Sequence, residues 1–67
     1  MKISKEPYYF LPNPSGEKNS GKNAALRVAS QPDKSYQFFV VPYAGNMWYI
    51  EVRDRITDVF VGYGAPN

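Results

Sequence analysis

The sequence predicts an all-β fold: a small antiparallel meander of four to five strands, either a curled sheet or a small closed barrel. Three observations carry this. Eight of the eleven aromatic residues fall between Tyr36 and Tyr63, mixed with Val and Ile. Apolar residues in that stretch alternate with the two-residue period of a strand. The runs are separated by turn chemistry, Ala44-Gly45-Asn46 and Asp54-Arg55-Ile56-Thr57, and not by helix start and stop signals.

Before that stretch the chain is less regular. Tyr8-Tyr9-Phe10-Leu11 lies between Pro7 and Pro12, which disfavours a helix and suits a short edge strand. Residues 12–23, PNPSGEKNSGKN, have the composition of a flexible loop. Residues 24–30 admit two readings. Asn23 could cap a short helix through the alanines. The alternation of Ala24, Leu26 and Val28 with Ala25, Arg27 and Ala29 favours a strand, with Gln31-Pro32-Asp33-Lys34 turning into the next one.

From Ser35 the strand signal is strong. Tyr36, Phe38 and Val40 share one face, and Phe39, Val41 and Tyr43 share the other, with Pro42 near the end. Because both faces are apolar, this strand is expected to be central or shielded on both sides. Ala44-Gly45-Asn46 predicts a hairpin. In the next strand, Met47 to Arg53, Trp48, Ile50 and Val52 are expected inward, with Met47, Tyr49, Glu51 and Arg53 outward. In Asp58 to Tyr63 the residues Val59, Val61 and Tyr63 alternate with Asp58, Phe60 and Gly62. Gly62 and Gly64 weaken that strand's end or permit a bulge.

The chain of 67 residues is read as a single small domain, 1–67. A domain of this size buries only about 60% of its unfolded surface, so such scaffolds lean on disulfides, a metal or a partner. There is no cysteine and no histidine. Disulfides, thiol redox chemistry, a zinc site from N and S ligands and a His general base are therefore unavailable. A dense aromatic core or self-association remains. No apolar run reaches signal-peptide or membrane-span length, so a cytoplasmic chain without membrane contact is expected. The formal net charge is +2, below the balance of a dedicated duplex-DNA binder, and the basic excess sits in residues 1–34.

Few constellations resemble chemistry. Gly16 to Lys22 matches the phosphate-loop spacing GxxxxGK, but Asn23 stands where that motif needs Ser or Thr. The motif also requires a parallel strand before it and a long helix after it, for which this chain lacks room. Glu51, Asp54 and Asp58 flank a turn, each near Arg53 or Arg55, which fits solvated surface charge better than paired acid–base carboxylates. No Ser or Thr has a recognisable activating base. No catalytic residue, metal ligand or cofactor is expected.

Leu26-Arg27-Val28-Ala29-Ser30-Gln31-Pro32-Asp33-Lys34-Ser35-Tyr36 resembles the opening of bacterial SH3-type (SH3b-like) domains, with their Leu-x-Val-x-Ser-x-Pro-x-x-Ser-Tyr rhythm. Trp48-Tyr49 followed by Val52, and then Val61-Gly62-Tyr63, loosely match the later strands, so the resemblance spans residues 26–63. The chain departs from the family at Ala29 and Gln31, where Arg and Gly are usual, and in a Tyr36–Trp48 stretch too short for the usual hairpin. The resemblance implies an SH3-like barrel that binds cell-wall or peptide ligands, and no binding residue is carried over from it.

Assigning faces strand by strand leaves more rings than one small core face absorbs. The candidate binding surface is therefore the outward set Phe39, Tyr43, Tyr49 and Phe60, with Met47 and Arg53 at its margin. Aromatic, Met and Arg side chains are enriched at protein interfaces. The expected function is a non-enzymatic interaction module (an adaptor, an inhibitor or an oligomer subunit) whose partner is another protein or itself, as a homodimer. The alternative is single-stranded nucleic-acid binding, with bases stacked on the same rings and phosphates on Arg27, Arg53, Lys18 and Lys22.

Overall fold

The three aromatic-rich runs fold as consecutive antiparallel strands in the computed structural model, which describes residues 1–12, 20–30 and 33–67. In chain order the elements are β1 (Lys2–Ser4), α1 (Ser20–Ala29), β2 (Tyr36–Tyr43), β3 (Met47–Asp54) and β4 (Phe60–Ala65). The sheet order is β1-β4-β3-β2, with every neighbouring pair antiparallel. The meander β2-β3-β4 is thus extended by the N-terminal strand against β4. The sheet is open and does not close into a barrel, and β1 and β2 are its edges.

The turns follow the expected chemistry. The single turn Ala44–Asn46 joins β2 to β3, with Gly45 and Asn46 both in left-handed backbone at φ 72° and 62°. Glycine and asparagine tolerate that region best. The Asp54 carboxylate closes the next turn by accepting the N–H groups of Ile56 and Thr57, each at 2.9 Å.

Residues 24–30 correct the preferred strand reading: Ser20–Ala29 is an α-helix. The period that decides it is helical. Gly21, Ala24, Ala25, Val28 and Ala29 recur at i, i+3, i+4, i+7 and i+8, and all of them face the sheet, with Gly21 and Ala25 buried. Leu26, which the two-residue alternation groups with Ala24 and Val28, is 46% exposed. The small side chains let α1 lie close on the sheet. Its end is fixed by Ser30, whose N–H donates to the Leu26 carbonyl and whose hydroxyl donates to that of Arg27. The predicted loop 12–23 is corrected accordingly at Ser20–Asn23, which open the helix, while residues 13–19 lie outside the described residues. So do Gln31 and Pro32 of the expected turn, where the Asp33 carboxylate accepts the Ser35 N–H at 3.0 Å.

The N-terminal segment also differs from expectation. Tyr8–Leu11 is not a strand but makes one bridge, Phe10 to Trp48, closed by backbone hydrogen bonds of 2.7 and 3.1 Å. The N-terminal edge strand is β1, three residues long and too short to signal itself by period. It fits against β4 because β4 carries glycine there: a Cβ at Gly62 would lie 2.7 Å from the Ser4 carbonyl oxygen.

The core lies between α1 and one sheet face. Ile50 and Val52 are fully buried, as expected; Phe10 and Ala25 are buried with them, and Met1, Tyr36, Phe38, Val40 and Trp48 pack around them. Burying each such aliphatic side chain contributes about 1.5–3 kcal/mol. The expectation that Tyr36–Tyr43 is central or shielded on both sides is corrected. β2 is an edge strand, and its second face is open, with Phe39 and Tyr43 exposed. Among the described residues one ten-residue helix, α1, covers one face of the sheet.

Candidate functional site

The open face is built by register. Across β2 and β3, Gln37 stands opposite Arg53, Phe39 opposite Glu51, Val41 opposite Tyr49 and Tyr43 opposite Met47. Across β3 and β4, Glu51 stands opposite Tyr63 and Arg53 opposite Phe60. Directly opposed residues share a face. All six candidate residues, Phe39, Tyr43, Met47, Tyr49, Arg53 and Phe60, therefore lie on the face away from α1.

The structure divides them into two adjoining groups. The first is a stripe of rings in contact. Tyr9 meets Tyr43 at 4.8 Å between centroids, Tyr43 meets Tyr49 at 6.3 Å, Tyr49 meets Tyr63 at 5.8 Å and Tyr63 meets Phe60 at 5.1 Å. The last three pairs are edge-to-face, the arrangement that sets a ring's positive edge against a neighbour's negative face. Tyr9 also touches Tyr49, at 6.2 Å. Burial among these rings raises the Tyr9 phenol above its usual pKa, helped by Tyr43. Met47 borders the stripe opposite Tyr43.

The second group centres on Arg53. Its guanidinium bonds Glu51 at 2.6 and 2.8 Å, reaches Asp58 at 3.5 Å, and stands 5.7 Å from the Phe39 ring centroid, within cation–π range. The hydrogen bond and charge of Glu51 hold Arg53 still more firmly protonated. Phe39, Val41, Glu51, Arg53 and Asp58 line an open depression of about 370 Å³. Phe60, opposite Arg53 and against Tyr63, links this group to the stripe.

Two rings of the stripe escaped the sequence reading. Tyr63 was expected on the opposite face from Phe60, alternating with it alongside Val59 and Val61. A bulge breaks that alternation: the β3–β4 register shifts between Val52 and Arg53, so Val52 faces Gly62 while Arg53 faces Phe60. The extra residue is Val61, which is 42% exposed, and Phe60 and Tyr63 come to one face. Gly62, at φ 156°, was the available signal. Tyr9 reaches the stripe because its neighbour Phe10 is anchored to Trp48, a long-range contact with no local sequence signal.

Gly16 to Asn19 of the phosphate-loop spacing lie outside the described residues. Of the GxxxxGK spacing, Gly21 backs onto the Phe10 carbonyl and Lys22 lies 5.4 Å from the Trp48 ring centroid, both in α1. Glu51 and Asp58 are engaged by Arg53, and Asp54 by the turn it closes. Among the described residues no group of three or more Asp or Glu side chains is placed to hold a metal ion, and no helix is long and apolar enough to cross a membrane. No family model, curated protein or solved structure matches this chain.

Proposed function

We propose that this chain is a small non-enzymatic protein-interaction module that binds through the open aromatic face of its sheet. One observation carries the reading. Five rings in mutual contact (Tyr9, Tyr43, Tyr49, Tyr63 and Phe60) and a sixth, Phe39, beside a guanidinium occupy one sheet face, and α1 lies on the other. Aromatic and Arg anchors on a rigid support are the residue types that dominate protein interfaces. The rings brace one another, so little side-chain freedom is lost on binding.

The charge on this face favours a protein over a nucleic acid. Arg53 is shared between Glu51 and Asp58, and the candidate phosphate partners Arg27 and Lys22 stand on α1, on the other side of the sheet. Phosphate neutralisation by free cations supplies most non-specific nucleic-acid affinity.

The test is a comparison of the native chain with Tyr49→Ala/Tyr63→Ala. Peptides selected from a random display library on the native chain are expected to lose at least tenfold in affinity for the variant, with its far-ultraviolet spectrum retained. Equal affinity for both overturns the reading. Tight binding of oligothymidylate that weakens steeply with salt replaces it with the nucleic-acid reading.

A further inference from the structure

The outer edge of β2 has a defined set of unpaired backbone groups. Trp48 directs both its N–H and its C=O to Phe10, so its pairing with Pro42 on the other side is of the non-hydrogen-bonded kind. Alternation puts Val40–Ile50, Phe38–Val52 and Tyr36–Asp54 in the same class. The N–H and C=O groups of Phe38 and Val40 therefore point away from β3, to an edge that no other strand pairs among the described residues. At either end the run of donors stops. The Tyr36 N–H is directed to the Asp33 carbonyl at 3.4 Å, and Pro42 has no N–H.

This edge is guarded only at its end. Sheet edges are usually protected by charged side chains or proline, and β2 has no charged residue and a proline only at Pro42, which leaves Tyr36–Val41 without either. The fold has reason to use it. Among the described residues the only large side chains fully buried are Ile50 and Val52, a thin core for a chain of 67 residues.

We propose that β2 pairs with β2 of a second copy of this chain, antiparallel about a two-fold axis at Phe39, so that Phe38 exchanges both backbone hydrogen bonds with Val40 of the partner subunit and Val40 with Phe38 of the partner subunit. The proposal rests on the reading of the chain as an association module and names its partner. The register follows from the two limits. A shift of two residues one way sets Phe38 against Pro42, which cannot donate. A shift the other way sets Val40 against Tyr36, whose N–H is taken. Of these three registers, the one centred on Phe39 alone uses all four N–H and C=O groups of Phe38 and Val40 in each copy. It sets Phe39, 44% exposed in one chain, against Phe39 of the partner subunit, with no charged pair across the seam. The axis is perpendicular to the sheet, so the two aromatic faces lie on the same side of one eight-stranded sheet. A foreign strand could meet the same edge, but self-pairing repeats the same donor limits on both sides.

The absence of native cysteine makes a register-specific test available. Directly opposed residues of a non-hydrogen-bonded antiparallel pair have Cα atoms about 4.5 Å apart, within the range a disulfide spans. With an added oxidant that takes two electrons and two protons from each thiol pair, Phe39→Cys is expected to cross-link almost completely to a dimer. Val41→Cys, whose two copies stand four residues or roughly 13 Å apart along the strand, is expected to remain largely uncross-linked. On the native chain, sedimentation equilibrium should give twice the monomer mass, and amide exchange at Phe38 and Val40 should slow with rising concentration. A native chain that stays monomeric to millimolar concentration overturns the proposal and leaves the aromatic face untouched. So does a dimer in which Val41→Cys cross-links as well as Phe39→Cys. Failure of the aromatic-face reading is seen separately, as unchanged peptide affinity in Tyr49→Ala/Tyr63→Ala.

Discussion

Gly21 of α1 stands against the backbone of Phe10: a Cβ at Gly21 would lie 2.5 Å from the Phe10 carbonyl oxygen and 3.3 Å from that of Asn46. Phe10 is in turn fixed by two backbone hydrogen bonds to Trp48. The first turn of the helix, the N-terminal segment and the β2–β3 turn thus meet at one point, and only the absence of a side chain lets them.

That contact decides the sign of Gly21→Ala. Alanine gains about 1 kcal/mol of helix propensity over glycine. The added methyl group meets backbone rather than a movable side chain, and overpacking of that kind costs about 1–3 kcal/mol. Net destabilisation is expected, read as a lower urea midpoint. A rise in the midpoint would show that α1 can lift from Phe10 without cost.

Ile50 carries more of the fold than its size suggests. It is fully buried beneath α1, and its side chain occupies the space that Gly64 leaves open. Ile50→Ala is expected to cost about 2–5 kcal/mol. A chain of this length holds roughly 3–10 kcal/mol in all, so the variant should be largely unfolded, or nearly so, at 37 °C by circular dichroism. Leu26→Ala, at a position 46% exposed, should change stability by no more than about 0.5 kcal/mol.

Asp54 gives the fold an acid-sensitive turn. The N–H groups of Thr57 and Ile56 donate to its carboxylate and lower its pKa below the usual range. A carboxyl whose pKa is depressed on folding contributes stability that is present above its unfolded value, about 4. That stability is lost as pH falls through the lower folded value. Asp54→Asn keeps an acceptor oxygen but not the charge, so it should flatten the dependence of the denaturation midpoint on pH below about pH 4. Asp54→Ala should lower the midpoint at neutral pH as well. An unchanged acid dependence in Asp54→Asn would assign the sensitivity to another carboxylate.

What was legible in the sequence was what local period controls. The runs at Tyr36, Met47 and Phe60 announced β2, β3 and β4, and the inward assignment of Ile50 and Val52 followed from alternation. The helix was misread because Ala24, Leu26 and Val28 satisfy a two-residue period while Gly21, Ala25 and Val28 satisfy a helical one. Small residues carry too little apolar weight to make the second pattern stand out. The candidate face was legible wherever alternation held, at Phe39, Tyr43, Met47, Tyr49 and Arg53. It was incomplete where a bulge turned Tyr63 and where the bridge at Phe10 delivered Tyr9, because both depend on contacts between distant parts of the chain.

Tyr49 is the hub of the stripe, touching Tyr9, Tyr43 and Tyr63, and its substitutions separate ring contact from hydroxyl chemistry. Tyr49→Phe keeps all three ring contacts and should leave stability within about 0.5 kcal/mol of native. Tyr49→Ala removes them together. Aromatic pairs contribute about 0.5–1.5 kcal/mol beyond the area they bury, so a double-mutant cycle of Tyr49→Ala with Tyr63→Ala should show coupling in that range. The same cycle with Phe39→Ala, whose ring lies beside Arg53, should show almost none, because residues without a shared contact act additively. Equal coupling in the two cycles would mean that the open face responds as one undivided surface, and that the separation into a tyrosine stripe and an Arg53 group has no energetic content.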